Sequence, residues 1–393
     1  MHNPLRRSSA LSVLTLCGLL TLAHADAQRV VKVATLSPLS GSLESLGNDV
    51  RRGAELAVKL RQREFSQLGV TLQLQAFDDE GDAQVGAKQA ETILKDDSVL
   101  AVVGALNSGV SLTAGGVLAK GQVAMVTPAS TADKLTTQGW THFNRLVAPD
   151  KAQAEAGGAY IAGTLKPKSV FVVSDNTTYG NGLSTQIQAS LKKSGIKIAA
   201  YIGATDVAAL EALAPRVQAS GADLVFFGGT PDLGGPFVKA LRAAGVKATF
   251  MGGDALDSSV FVKLAQKDAA DTLFTTVYGP VSAFANRTAF VTAYEKEYKT
   301  SPSGFAAFAY DAANVLLSGL KSVTTTSKLP TRAQVSAAVR GGKVAADGTI
   351  TGTVSFTKTG ERASSPLFLM RVGADTLAPR VEKVLRYSAP TQP

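Results

Sequence analysis

Ser108 and Thr131 stand at the ends of two apolar, β-rich runs, Ala101-Val102-Val103-Gly104-Ala105-Leu106-Asn107-Ser108 and Met125-Val126-Thr127-Pro128-Ala129-Ser130-Thr131. Each run stops abruptly in small and hydroxyl-bearing residues, which leaves backbone N–H groups and Ser or Thr oxygens free to bind. In an open parallel sheet, ligands sit outside the carboxyl ends of the strands, so two such ends in succession make the floor of a site. The groups on offer suit a small carboxylate.

The elements that must position them alternate along the chain. Val30 to Leu36, Thr71 to Phe77, Val99 to Val103 and Ala124 to Val126 read as strands, with helices over 48–62, 82–95 and 111–120. Ser169 to Val173, Ile196 to Ile202, Leu224 to Phe227, Thr249 to Met251 and Leu273 to Val277 repeat the pattern, with helices over 182–194, 207–220, 232–244 and 258–266. Strand, helix, strand at this spacing makes parallel βαβ units. The fold class is therefore α/β, with two doubly wound parallel-sheet lobes. The tail reads as helices over 284–298, 304–322 and 331–340, then strand-like pieces at Gly352 to Phe356 and Leu367 to Val372. Such a tail returns to the first lobe and crosses back, so residues 26–145 with 279–363 form lobe 1, and 146–278 with 364–393 form lobe 2. Several crossings permit hinge closure around a ligand.

Residues 1–25 read as a secretory leader: Arg6 and Arg7, an apolar stretch from Ala10 to Ala23, and Ala23-His24-Ala25 as a cleavage site ahead of Asp26. The apolar stretch is shorter than the roughly 20 residues a spanning helix needs. Cys17 follows Leu16, where a lipoprotein signal has a small residue. Cleavage after Ala25 gives an exported, soluble, periplasmic chain without cysteine, and His142 becomes the sole histidine. Thiol chemistry and cysteine metal sites are then excluded, and a histidine triad or metal centre is weakened. The net charge falls from +9 to +7, because Arg6 and Arg7 leave and no acidic residue does. The remaining cations are dispersed, with nothing longer than pairs such as Arg51-Arg52 and Lys192-Lys193. Dispersed charge reads as a solvated surface and not as a nucleic-acid stripe.

The order Ser37-Pro38-Leu39-Ser40-Gly41, Asp78-Asp79, Val103-Gly104, Thr127-Pro128-Ala129-Ser130-Thr131, Asp175 to Gly180, Gly228-Gly229 and Phe250-Met251-Gly252 resembles the periplasmic leucine/isoleucine/valine-binding proteins. These are the substrate-binding components of ABC importers for branched-chain amino acids. The resemblance implies a type I periplasmic binding fold, no cofactor, an amino-acid ligand, a membrane permease as partner and a monomeric chain. Ser108 and Thr131 fall where the family's hydroxyls bind the ligand's α-carboxylate, and Ala129 where a backbone group takes part. Asp254 stands where the family has a glutamate for the α-ammonium, and Tyr179 matches an aromatic that closes over the ligand. Leu46 and Thr230 occupy positions that are often tyrosine, while Phe305 matches an apolar wall. Gly81 and Asn107 stand where some members have a disulfide, so this chain relies on packing alone.

The chemistry agrees with the resemblance. A zwitterion needs donors for its carboxylate and an anion for its ammonium, because an unpaired buried charge is costly. Asp254 would thus separate an amino acid from a plain carboxylic acid. Blander readings stay open. Ser108 and Thr131 also suit helix caps, Asp254 a turn, Tyr179 a packing tyrosine, and Leu46 and Phe305 the core.

Three sharper motifs fail. Gly180-Asn181-Gly182 lacks the third glycine of a dinucleotide fingerprint, with Thr185 in its place. Asp78-Asp79-Glu80-Gly81-Asp82 lacks the glycine and distal glutamate of a calcium loop, and a helix capped by Asp82 explains it better. There is no G-x-S-x-G elbow. The chain reads as a non-enzymatic solute-binding protein; a ligand-sensing receptor subunit or an enzyme of amide metabolism are the other classes.

Overall fold

Val31, Val33, Ala34 and Leu36 are all buried in β1 (Arg29–Ser37), as a strand covered on both faces requires. A computed structural model describes residues 29–390; the leader, with Cys17 and the expected cut after Ala25, lies outside them. After β1 come α1 (Glu44–Ser66), β2 (Val70–Asp78), α2 (Ala83–Lys95), β3 (Val99–Gly104), α3 (Ser108–Ala119), β4 (Ala124–Thr127) and β5 (Phe143–Arg145). The five strands form a parallel sheet in the order β2-β1-β3-β4-β5.

The chain then runs through α4 (Asp150–Tyr160), β6 (Ser169–Ser174), α5 (Thr178–Lys193), β7 (Lys197–Gly203), α6 (Val207–Glu211), α7 (Ala214–Ser220), β8 (Leu224–Gly228), α8 (Pro231–Ala243), β9 (Thr249–Gly252), α9 (Ser259–Ala265) and β10 (Leu273–Thr276). It continues as α10 (Arg287–Tyr298), α11 (Gly304–Val323), α12 (Arg332–Gly341), β11 (Lys343–Val344), β12 (Val354–Ser355), β13 (Ser364–Val372) and β14 (Pro379–Ser388). The second sheet has the order β14-β13-β10-β9-β8-β6-β7, parallel from β7 to β10 and antiparallel at β13 and β14.

Both sheets repeat one winding, in which the strand order reverses between β1 and β3 and again between β6 and β8. Ligand crevices form at such switch points. The chain passes between the sheets three times, between β5 and α4, between β10 and α10, and between β12 and β13. Helix α11 packs along α1, which brings the tail back to the first sheet.

Local chemistry sets the boundaries. Asp82 caps α2, its Oδ1 accepting from Gln84 N at 2.7 Å and Val85 N at 2.9 Å, so the acidic run after β2 is a cap. Gly104 has φ of +153°, and a side chain there would collide with the Leu36 carbonyl, so glycine lets β3 end tight against β1. Gly81 and Asn107 are neighbours in space: a Cβ on Gly81 would lie 3.6 Å from Asn107 Oδ1.

The helix expected over 207–220 is two helices, because Pro215 starts a new one in the first turn of α7. The strand expected at Gly352 to Phe356 shrinks to β12. Among the described residues no helix is long and apolar enough to cross a membrane.

Candidate functional site

The loops after β3 and β4 are knitted together by their own hydroxyls. Thr127 Oγ1 donates to Ala105 O at 2.7 Å and accepts from Ala129 N and Ser130 N. Ser130 Oγ bonds the carbonyls of Ala105 and Leu106 and meets Ser111 Oγ at 2.7 Å. These side chains are therefore consumed by the fold, contrary to the expectation that the hydroxyls at these strand ends stay free. Ser108 and Thr131 differ. Ser108 Oγ only accepts, from Ala132 N at 3.3 Å, and keeps its own proton to donate. Thr131 Oγ1 is buried with no hydrogen-bond partner. Ser108 is also the first residue of α3, whose N-cap Asn107 makes no side-chain cap, so the positive end of the helix stays open.

Opposite, on the second sheet's side, Asp254 opens the turn after β9 and is 4% exposed. Its Oδ1 accepts from Tyr179 Oη at 2.9 Å and Gln153 Nε2 at 2.7 Å, while Oδ2 carries neither bond. Gln153 is itself aimed by Thr275 Oγ1 at 3.0 Å and by the Asp254 amide at 3.2 Å. Burial pushes the Asp254 carboxyl up to about 6 against the pull of these two donors. The Tyr179 hydroxyl is pushed up by burial and by the adjacent Asp254 charge, so it stays a donor.

All eight residues singled out from sequence line one cavity of about 260 Å³: Leu46, Ser108, Ala129, Thr131, Tyr179, Thr230, Asp254 and Phe305. Thr230 is the N-cap of α8, and its amide is held by Asp175 Oδ2 at 3.0 Å. Leu43, Leu46, Leu106, Val110 and Phe305 make the rest of the wall apolar. Among the described residues no Lys, Arg or His lines the cavity.

Sequence reasoning missed three residues. Tyr278, on the second crossing, donates to Ala129 O at 3.2 Å, and its ring lies 4.1 Å from that of Phe305. It thereby fastens the second crossing to the first sheet's side of the cavity. Gln153 and Asp150 lie on α4, a helix that alanine and glycine conceal from hydrophobic patterning. The Ala-Pro-Asp sequence before it was the available signal, since it marks a helix start.

The cavity thus has neutral donors and a helix N-terminus at one end, a carboxylate at the other, and apolar walls between. Among the described residues no cluster of histidine, cysteine and acidic residues suits a metal ion.

Comparison with known proteins follows the same lines. The family described as periplasmic binding protein matches residues 30–376. Leu/Ile/Val-binding protein homolog 3 of Brucella melitensis is 30% identical over 365 residues, 93% of this chain and 96% of the relative. The leucine-, isoleucine-, valine-, threonine-, and alanine-binding protein of Pseudomonas aeruginosa is 28% identical over 76% of this chain and 80% of its own. A branched-chain amino acid transporter substrate binding protein from Streptococcus pneumoniae, solved with isoleucine, superposes with a TM-score of 0.78 at 21% identity, covering 92% of this chain and 100% of that one. The extent of these matches settles the assignment: the chain belongs to the periplasmic binding protein family, among the Leu/Ile/Val-binding proteins.

Proposed function

We propose that this protein captures a branched-chain or related apolar amino acid between its two lobes and delivers it to the permease of an ABC importer, with no bond made or broken. The observation that carries this reading is the polarity of the cavity: hydroxyls and a helix N-terminus face a buried carboxylate, with no basic side chain in the wall among the described residues. The ligand's carboxylate goes to Ser108 and the start of α3. Its ammonium goes to Asp254 and the Ala129 carbonyl, joined by Thr131, which the resemblance placed at the carboxylate end but whose hydroxyl lies beside Asp150, and Tyr179 holds Asp254 in place. The side chain goes among Leu43, Leu46 and Phe305, with Thr230 at the edge. Hydrogen bonds to charged groups are worth about 1.5 to 3 kcal/mol each, enough for the roughly 8.2 kcal/mol of micromolar binding. In this reading the protein is exported after cleavage behind Ala25 and acts as a monomer.

A thermal-shift panel of amino acids, amides and plain carboxylates tests the assignment. Leucine, isoleucine or valine at about 100 times its dissociation constant adds about 2.7 kcal/mol of stability, a shift of several degrees. If only plain carboxylates stabilise the protein, the amino-acid reading fails.

Closure has its own contacts. Ser42 Oγ donates to Asp232 Oδ2 at 2.6 Å, and Gln186 Nε2 donates to Asp133 Oδ2 at 3.0 Å, each joining the two sides of the cleft. Contacts made only in the closed form raise affinity by shifting the population toward it. Removing both, with Ser42→Ala and Gln186→Ala together, is expected to weaken leucine binding roughly tenfold, at about 0.5 to 1.5 kcal/mol per bond. Calorimetry checks it, and unchanged affinity would mean the two contacts play no part in closure.

A further inference from the structure

Among the described residues, Asp150 alone has both carboxylate oxygens buried without a hydrogen-bond partner. It is 0% exposed, in the first turn of α4, and its amide donates to Thr131 O at 2.9 Å. That bond sets the carboxyl beside the Thr131 hydroxyl, which favours its ionised form against burial, and Thr131 lines the cavity. A Cβ on Gly182 would lie 3.0 Å from Asp150 Oδ2, so the carboxyl is pressed against the backbone of α5.

The charged and titratable groups around Asp150 are Asp133 and Arg145 from the first sheet's side, Tyr179 of α5, Asp254 after β9, and Tyr278 on the second crossing. Asp257 faces Asp254 as well, and among the described residues Arg145 is the one cation. Its guanidinium is occupied by both oxygens of Glu361 and by the carbonyls of Thr131 and Ala132. Two carboxyls, Asp150 and Asp254, are thus buried near one another with no uncommitted cation of the protein to balance them. Like charges so placed do not both ionise. Burial first, then the charge of Asp254, pushes Asp150 well above the carboxylate range. Asp150 stands behind the cavity wall, so an ammonium beside Asp254 and Thr131 acts on it through its positive charge, which is what the pair of carboxyls lacks.

We infer that Asp150 and Asp254 share one proton in the ligand-free protein, and that the ammonium of the captured amino acid displaces it. Before capture the pair holds two carboxyl groups and one proton; afterwards it holds two carboxylates and the ammonium, and the proton passes to solvent. This exchange rests on the zwitterion reading of the cavity. It makes Asp150 a determinant of specificity, because a plain carboxylate or a neutral amide does not replace the proton.

The test is calorimetry of the mature chain with L-leucine at pH 7, in buffers of low and high ionisation enthalpy such as phosphate and Tris. The wild type is expected to release about one proton per ligand, and its affinity to rise about tenfold per pH unit near neutrality. Asp150→Asn is expected to bind with enthalpy independent of buffer. A clear wild-type isotherm whose enthalpy does not change with buffer overturns the proton exchange while leaving amino-acid capture intact. If neither leucine nor any other amino acid gives heat or thermal stabilisation, the zwitterion reading falls, and the exchange with it. The wild-type buffer series decides the matter even if Asp150→Asn does not fold.

Discussion

Asp254→Asn is expected to bind leucine roughly 100 to 1,000 times more weakly than the wild type, since truncating one partner of a buried charge pair costs about 2 to 5 kcal/mol and each 1.4 kcal/mol is about tenfold. The replacement keeps the shape of the side chain, and its Oδ1 still accepts from Tyr179 and Gln153. What disappears is the anion opposite the ammonium. The unliganded fold does not suffer. The folded-state carboxyl is raised from 3.8 to about 6 by burial, so its protonated form suits the fold and stability is lost as pH rises through that window. At pH 7 the ionised group opposes folding, and asparagine removes that opposition. The melting temperature of the unliganded variant is therefore expected to hold or rise while affinity collapses, a split that scanning fluorimetry and calorimetry resolve. The same sign fixes the direction of the wild-type pH profile: affinity falls as pH drops from neutrality, because a proton held by the buried carboxyls must leave before the ammonium is paired. Wild-type affinity in Asp254→Asn would remove this residue from the site.

The parallel βαβ repeat was legible because strands buried on both faces carry uninterrupted apolar runs rich in valine. Val99 to Val103 and Val170 to Val173 are examples, all essentially without exposure. Elements without such runs escaped. In β14 most side chains are exposed, and charged residues occupy half of its alternation after an opening proline. In α4 the inward face is built from Ala152, Ala154, Gly157 and Gly158, too small to leave a hydrophobic period. The site was half legible for a related reason. Sequence marks a hydroxyl as available, but only the tertiary direction of the loop decides whether it is consumed. Thr127 and Ser130 bind the Ala105 carbonyl, whereas Thr131, one residue on, faces the cavity. Tyr278 was invisible because its role comes from where the second crossing passes, and no local motif records that.

Asp311→Ala is expected to destabilise the protein by about 3 to 5 kcal/mol, the cost of removing one member of a buried charged cluster, and to lower its melting temperature by roughly 4 to 6 °C. Asp311 lies on α11 without exposure and accepts from Ile350 N and Thr351 N at 2.8 Å each and from Thr351 Oγ1 at 2.6 Å. Arg362, 1% exposed, donates to Thr351 Oγ1 at 2.9 Å and to the carbonyls of Thr351, Gly352 and Thr353. It also reaches Leu146 O at 3.4 Å. Leu146 lies on the first crossing and Arg362 on the third, so this cluster ties two of the three connections between the sheets to α11. Alanine at 311 strands three donors and leaves the Arg362 guanidinium buried without its counter-charge. Each unsatisfied donor costs about 1 to 3 kcal/mol, so the loss is large although no apolar contact is removed. Replacing both charges, Asp311→Leu with Arg362→Leu, should recover part of it, because a buried pair exchanged for packed apolar groups is often neutral. Urea denaturation of the two variants checks both statements. A single variant that unfolds at the wild-type midpoint would show that the crossings are held by packing and not by this cluster. The side chains that line the cavity are untouched by either change, so an affinity loss below the melting range would report the hinge: the crossings would then set how far the lobes close on the ligand.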